Sequence, residues 1–136
     1  MKSGSCPCGS GSPLPKCCGR LHNGSFPPSP EALMRSRYSA YAVGDVQHVL
    51  RTTHPDGPHY RTDRAVWERE VLTFCQATEF LALTVHGSGF DPDMAGWVEF
   101  TATLRRGGAD ASFRERSRFR PYEGRWCYLD GVHVSD

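Results

Sequence analysis

Four of the chain's six cysteines fall within thirteen residues: Cys6, Cys8, Cys17 and Cys18, in "CPCGSGSPLPKCCG" (6–19). No other feature restricts the first part of the fold so tightly. The spacing is C-x-C-x8-C-C. The excursion between the pairs carries Gly9, Ser10, Gly11, Ser12, Pro13 and Pro15, which are turn formers and not core formers. Such a loop returns the second pair to the first, and four converging thiolates make a tetrahedral site for which zinc is the default metal. Disulfides compete poorly, because vicinal and C-x-C pairing is sterically awkward and a thiol-keeping compartment opposes cross-pairing. The spacing leaves the fourth ligand open between Cys18 and His22, four residues beyond it.

Composition narrows the rest. The 136 residues are 38% hydrophobic, enough for one packed domain beside a small appendage. The net charge of +1 gives no overall basic field, which argues against nucleic acid as a partner. No apolar run reaches the ~18 residues of a membrane span. The opening "MKSGSCPCG" lacks the apolar stretch of a secretory signal, so the cytoplasm is the expected location.

"NGSFPPSPEA" (23–32) is a Gly/Pro/Ser-rich joint, which divides the chain into a knuckle, residues 1–25, and a main domain, residues 26–136. Its prolines stiffen the link, so the knuckle is expected to pack only lightly on the domain. Ser29 followed by Pro30 starts a helix expected over residues 30–50, and Asp63 starts another over 64–78. From residue 79 the apolar period changes to two. Residues 79–87, 96–106, 111–121 and 125–134 read as strands joined by Gly, Pro and Asp turns. Helices followed by hairpin-linked strands make an α+β fold, with helices over one face of an antiparallel sheet. His48, His54 and His59 are expected to be ordinary loop histidines, and Cys75 and Cys127 small core residues.

The motif "CPCGSGSPLPKCCG" closely resembles the SEC-C motif, a zinc-binding segment best known from a protein-translocase motor, where it docks protein partners. "LMRSRYSAYAVGD" (33–45), "ERSRF" (115–119) and "RWCYLDG" (125–131) resemble the YchJ-like family. The resemblance covers nearly the whole chain. It implies Cys6, Cys8, Cys17 and Cys18 as metal ligands, with zinc as the metal and iron as an alternative. It also implies a nuclear transport factor 2-like domain, a cone in which a curved antiparallel sheet wraps two or three helices around a pocket. It supplies no reaction.

The strand pattern allows the pocket to be drawn. With Gly107-Gly108 as a two-residue turn, Leu104 faces Ala111, Ala102 faces Phe113, Phe100 faces Glu115 and Val98 faces Ser117 on the apolar side. The other side pairs Thr101 with Arg114, Glu99 with Arg116 and Trp97 with Arg118, making Arg114, Arg116, Arg118 and Arg120 a ladder on a solvated face. A carboxylate at Glu115 then lies among Phe100, Phe113 and Ser117 and needs a partner. Arg35 shares a stripe with Tyr38, Ala42, Val46 and Val49, so Glu115 is expected to meet Arg35, with Arg37 as the alternative, near the Tyr38 hydroxyl. Arg35, Arg37, Tyr38, Phe100, Glu115 and Ser117 form the candidate pocket. They make either a buried ion pair that fixes helix to sheet or a polar floor for a small anionic or carbonyl ligand.

Two functions follow, of which the first is the expected one and the second its alternative. One is a metal-knuckle adaptor that docks a protein partner on a cone-shaped scaffold. The other is a small enzyme or small-ligand receptor with its site inside the cone. A cone filled by its own aromatic side chains favours the first, and an open apolar cavity with converging polar groups favours the second.

Overall fold

The structure is a computed structural model and describes residues 5–134. A single 3-10 turn at Leu14–Lys16 and a short helix α1, Cys18–His22, follow the first cysteine pair. Helices α2 (Pro30–Val43), α3 (Val46–Arg51) and α4 (Arg64–Ala77) precede strands β1 (Thr78–Phe90), β2 (Gly96–Arg106), β3 (Ala109–Asp110), β4 (Phe113–Tyr122) and β5 (Arg125–His133). The sheet is antiparallel in the order β1-β2-β4-β5, with the two-residue β3 paired to β2. Its concave face and the helices enclose a core of Leu33, Met34, Tyr38, Val98, Phe100, Ala102, Leu104 and Phe119. This is the α+β cone expected from the sequence.

Local chemistry explains the element ends. Ser29 Oγ accepts from the Ala32 amide at 3.1 Å, and Asp63 Oδ1 accepts from the Val66 amide at 3.1 Å, capping α2 and α4. The helix expected over 30–50 is instead two helices. Gly44 ends α2 in the left-handed region at φ 80°, where glycine is favoured. Asp45 then caps α3 by accepting from the His48 amide at 3.2 Å. At the start of α2 the helix comes so close to the sheet that a side chain on Gly96 would collide with the Pro30 ring.

The β2–β4 register is the expected one: Val98 faces Ser117, Phe100 faces Glu115 and Ala102 faces Phe113. On the outer face the contacts run one step along the diagonal. Glu99 accepts from Arg114 Nε at 3.0 Å, not from Arg116, and the guanidinium over Trp97, at 3.9 Å from its centroid, is that of Arg116, not Arg118. Strand twist brings diagonal neighbours within reach of long side chains. Arg116 pairs with Asp91, Arg118 with Asp130 and Arg120 with Asp93. The ladder is therefore internally neutralised. Strand β5 is protected at its edge by the chain at 52–54: Tyr128 N donates to Thr52 O at 2.7 Å and His54 N to Tyr128 O at 2.8 Å.

The knuckle does not pack lightly. Cys6 Sγ lies 3.2 Å from Ser39 Oγ in a buried contact. Arg35 Nη1 donates to Cys8 O at 3.0 Å. Leu83 of β1 packs on the cysteine cluster. From α1, His22 Nε2 contacts Ser36 O at 2.9 Å, and Arg51 Nη2 donates to His22 O at 2.5 Å. The prolines of the joint stop a continuous helix, but they do not keep the two parts separate. Phe26 in the joint lies under the Arg125 guanidinium at 4.4 Å.

His48 sits at the centre of this seam, with 1% exposure, and is not a loop histidine. Ser36 Oγ donates to Leu33 O at 2.7 Å, so it accepts from His48 Nε2 at 2.8 Å. The other ring nitrogen, Nδ1, then accepts from Arg51 Nη2 at 3.2 Å. A neutral ring satisfies both bonds. Burial, then the nearby His22, Arg51 and Arg37, lower its pKa to about 3. The unfolded chain takes up a proton near pH 6.5 that the folded protein refuses, so stability falls as pH drops through that value towards 3. Between pH 7 and pH 5 the loss from this group is about 2 kcal/mol. Urea unfolding at both pH values should show that difference, and His48→Gln should remove most of it.

Candidate metal centre and cavity

In the knuckle, the Sγ atoms of Cys6, Cys8, Cys17 and Cys18 all lie within 4.8 Å of one another. Gly9 and Gly11, at φ 84° and 86°, turn the loop back so that Cys17 Sγ comes to 3.7 Å from Cys8 Sγ. Gly19 has no room for a side chain, since a Cβ there would lie 2.6 Å from Leu14 O. Its absence lets α1 close against the 3-10 turn and brings Cys18 inward. All four thiols are free, and 3.7 Å between sulfurs is far beyond a disulfide bond of about 2.05 Å. It agrees with the edge of a tetrahedron of sulfurs about 2.3 Å from a central cation, which is about 3.8 Å. The donor set is soft, which suits zinc or iron rather than magnesium or calcium. Cys8 is fully buried, Cys6 and Cys18 are buried, and only Cys17 reaches towards the surface. Four protein ligands leave no open position, so such a site holds structure.

The electrostatics agree with a site made for thiolates. Hydrogen bonding, first from Cys18, outweighs burial and lowers the Cys8 thiol to about 4. The Cys18 thiol is pushed up, chiefly by that same bond to Cys8 and by burial. Cys8 gives up its proton readily, while Cys17 and Cys18 hold theirs unless a cation balances the charge. His22, the other residue that spacing allowed as fourth ligand, is turned away to Ser36 O and lies 3.8 Å from Asp45.

The second feature lies inside the cone. A cavity of about 800 Å³ opens between the helices and the sheet. Five of the six expected pocket residues line it: Arg37, Tyr38, Phe100, Glu115 and Ser117. Arg35 does not. Its Nε donates to Glu31 Oε2 at 3.0 Å and its Nη1 to the knuckle. The reason is the face of α2 that meets the sheet. Met34, Arg37, Tyr38 and Tyr41 look into the cavity, and Arg35 sits a hundred degrees round from Met34.

Nor does Glu115 meet Arg37 directly. Glu115 Oε2 accepts from Ser117 Oγ at 2.5 Å and from Tyr128 OH at 3.1 Å. Arg37 Nη1 donates to Val49 O at 3.0 Å, Thr52 Oγ1 at 2.8 Å and Thr53 Oγ1 at 3.2 Å. These acceptors lie at the C-terminal end of α3, where a cation is favoured. The guanidinium carbon stands 4.6 Å from the centroid of the Tyr128 ring. Tyr128 therefore stands between arginine and acid, its ring on one and its hydroxyl on the other. Burial, and then the Glu115 charge, push its pKa up. Burial also raises Tyr38 to about 12, offset in part by the Ala82 backbone. Among the described residues the Tyr38 hydroxyl makes no well-aligned hydrogen bond, and it is not the contact expected for Glu115. Sequence reading missed Tyr128 as a member of the site; its signal was an inward position in the strand pattern, opposite Phe119.

The position of the Glu115 side chain depends on Gly131, across the β4–β5 ladder. A Cβ there would collide with the Glu115 carboxylate. Gly131→Ala should therefore destabilise the protein by roughly 1–3 kcal/mol, as overpacking does. Adding Glu115→Ala should recover part of that loss, a coupling that a double-mutant cycle of urea midpoints reads directly. For the knuckle, metal analysis should give about one ion per chain, lost in Cys8→Ala. Because the knuckle is packed against α2, its removal by a chelator should also lower the melting temperature of the whole protein by about 5–10 °C.

Comparison with known proteins agrees with these two parts. A family model described as the middle NTF2-like domain of YchJ matches residues 29–131. A UPF0225 protein of Streptomyces coelicolor is 42% identical over 132 residues, covering 96% of this chain and 97% of that one. Another, from Deinococcus radiodurans, is 41% identical over 129 residues, covering 93% and 88%. The solution structure of a SEC-C motif containing protein from Rhodopseudomonas palustris superposes with a TM-score of 0.79 at 40% identity, covering 96% of this chain and 99% of that one. A crystal structure of a SEC-C motif containing protein from Psychrobacter arcticus, 22% identical, shares the fold with a TM-score of 0.72 over 97% and 84% of the two chains. With its cysteine knuckle set before a matching NTF2-like cone, this chain belongs to the YchJ-like, UPF0225 family.

Proposed function

We propose that this protein is a small-ligand receptor whose cavity lies inside the cone, and that residues 1–25 form a zinc-bound knuckle bracing residues 26–136. The observation that carries the reading is the cavity of about 800 Å³ with Arg37, Glu115 and Tyr128 in its wall. That volume lies within the range of small-molecule sites, which are mostly apolar with a few polar groups that fix orientation. A scaffold serving only to carry a knuckle has no use for an open interior, since unfilled space costs stability. Zinc suits the four soft donors and needs no redox chemistry to hold a fold.

The knuckle acts here as a brace. It touches α2 through Ser39 and Arg35, and α2 carries Arg37, Tyr38 and Tyr41 to the cavity. The adaptor reading keeps one supporting observation, because residues 9–13 at the knuckle's tip stay exposed and leave a surface for a protein partner.

The receptor reading is tested with 1-anilinonaphthalene-8-sulfonate, whose fluorescence rises in apolar sites. The metal-loaded protein should bind about one probe per chain, and Ala102→Phe, which fills the cavity, should weaken binding by about tenfold without loss of secondary structure. Absence of saturable binding, or binding untouched by Ala102→Phe, would count against it.

A further inference from the structure

Arg37 is 8% exposed, and no carboxylate among the described residues forms an ion pair with it. A buried guanidinium without a counter-charge is costly. Its Nη1 is fully engaged at the end of α3. Among the described residues Nε and Nη2 have no hydrogen-bond partner. They are not sealed in either, since the enclosed unpartnered side-chain atoms among the described residues are Tyr38 OH and Thr78 Oγ1. This edge therefore opens on the cavity that Arg37 lines. The Tyr128 ring fixes the plane of the guanidinium from one side. The result is a rigid planar edge with two parallel donors, the shape that a carboxylate fills with two bonds.

Around it the walls are aromatic, including Tyr41, Phe74, Phe80, Phe100 and Phe113. Such walls suit a ring-bearing, apolar body. Two further charged residues of the lining, Arg61 and Glu70, pair with each other at 3.3 Å, which leaves Arg37 as the cation for a ligand and Glu115 as the acid that limits its charge. One arginine can balance one anionic group. A dianion, such as a phosphate monoester, would set its second charge beside another acid in an apolar space. Resting on the receptor reading, we infer that the cavity takes a monocarboxylate with a ring-bearing apolar body, its carboxylate seated on Nε and Nη2 of Arg37.

Calorimetric titration of the metal-loaded protein with 2-naphthoate, 2-naphthamide and 2-naphthyl phosphate tests this. The acid should bind about tenfold more tightly than the amide at neutral pH, and Arg37→Gln should abolish the preference. Arg37 also holds the end of α3, so a second variant keeps the test intact if that one fails to fold. Glu115→Gln leaves every Arg37 bond in place and should tighten the acid by about threefold or more while leaving the amide unchanged. Equal binding of acid and amide, with no response to Glu115→Gln, would overturn the carboxylate inference and leave the receptor reading standing. Tighter binding of the phosphate would overturn the single-charge argument. Failure of all three probes to bind would count against both readings.

Discussion

Helix α2 is buried on both sides, and the rest of the molecule is arranged around that constraint. Leu33, Met34, Tyr38 and Ala40 are buried, and so are the polar Ser36, Arg37 and Ser39. A helix of a small domain normally keeps one polar face in water. Here the face that would be wet lies under the knuckle, where Ser39 meets Cys6 and Ser36 meets His22. The opposite face forms the cavity wall. Two short polar side chains let the knuckle approach closely: Ser39 Oγ meets Cys6 Sγ, and Ser36 Oγ is taken up by Leu33 O and His48, so burial does not leave them unsatisfied.

The knuckle is too small to hold itself together by apolar contact. Its interior is the cysteine cluster, with Leu14 and Leu83 packed against it. A cation bound by these four sulfurs would supply what a core of this size lacks. The knuckle is joined to α2 through Arg35 and Ser39, and to α3 through Arg51, which holds both His22 O and His48. Arg37 continues the chain of contacts from α3 into the cavity. The metal site and the pocket are thus opposite sides of one helical layer.

Much of the architecture was legible in the sequence because it is governed by local chemistry. The Gly107-Gly108 turn and the apolar alternation set the β2–β4 register, although the charged contacts expected across it fall on the diagonal, and the cysteine spacing brought four sulfurs to one place. What was not legible depended on which side of a doubly buried helix faces what. Periodicity places Arg35 and Arg37, two residues apart, on nearly opposite sides of α2 but cannot distinguish a cavity from a knuckle, since both bury the helix. Arg35 consequently turned to Glu31 and Cys8 while Arg37 took the interior. The His22–Ser36–His48–Arg51 seam carries no motif, because its members come from three helices and meet only when the chain is folded. A glycine at 44 is a weak point in any helix over 30–50, but the cap by Asp45 that makes it a turn needed the structure.

The cysteine site, α2 and the cavity should behave as one cooperative layer, and amide hydrogen exchange of the metal-loaded and chelated protein reads this out residue by residue. Chelation should speed exchange in α2 and α3 as well as in residues 5–25, while the paired centre of β2 and β4 stays protected. Faster exchange confined to residues 5–25, with α2 as protected as before, would contradict it.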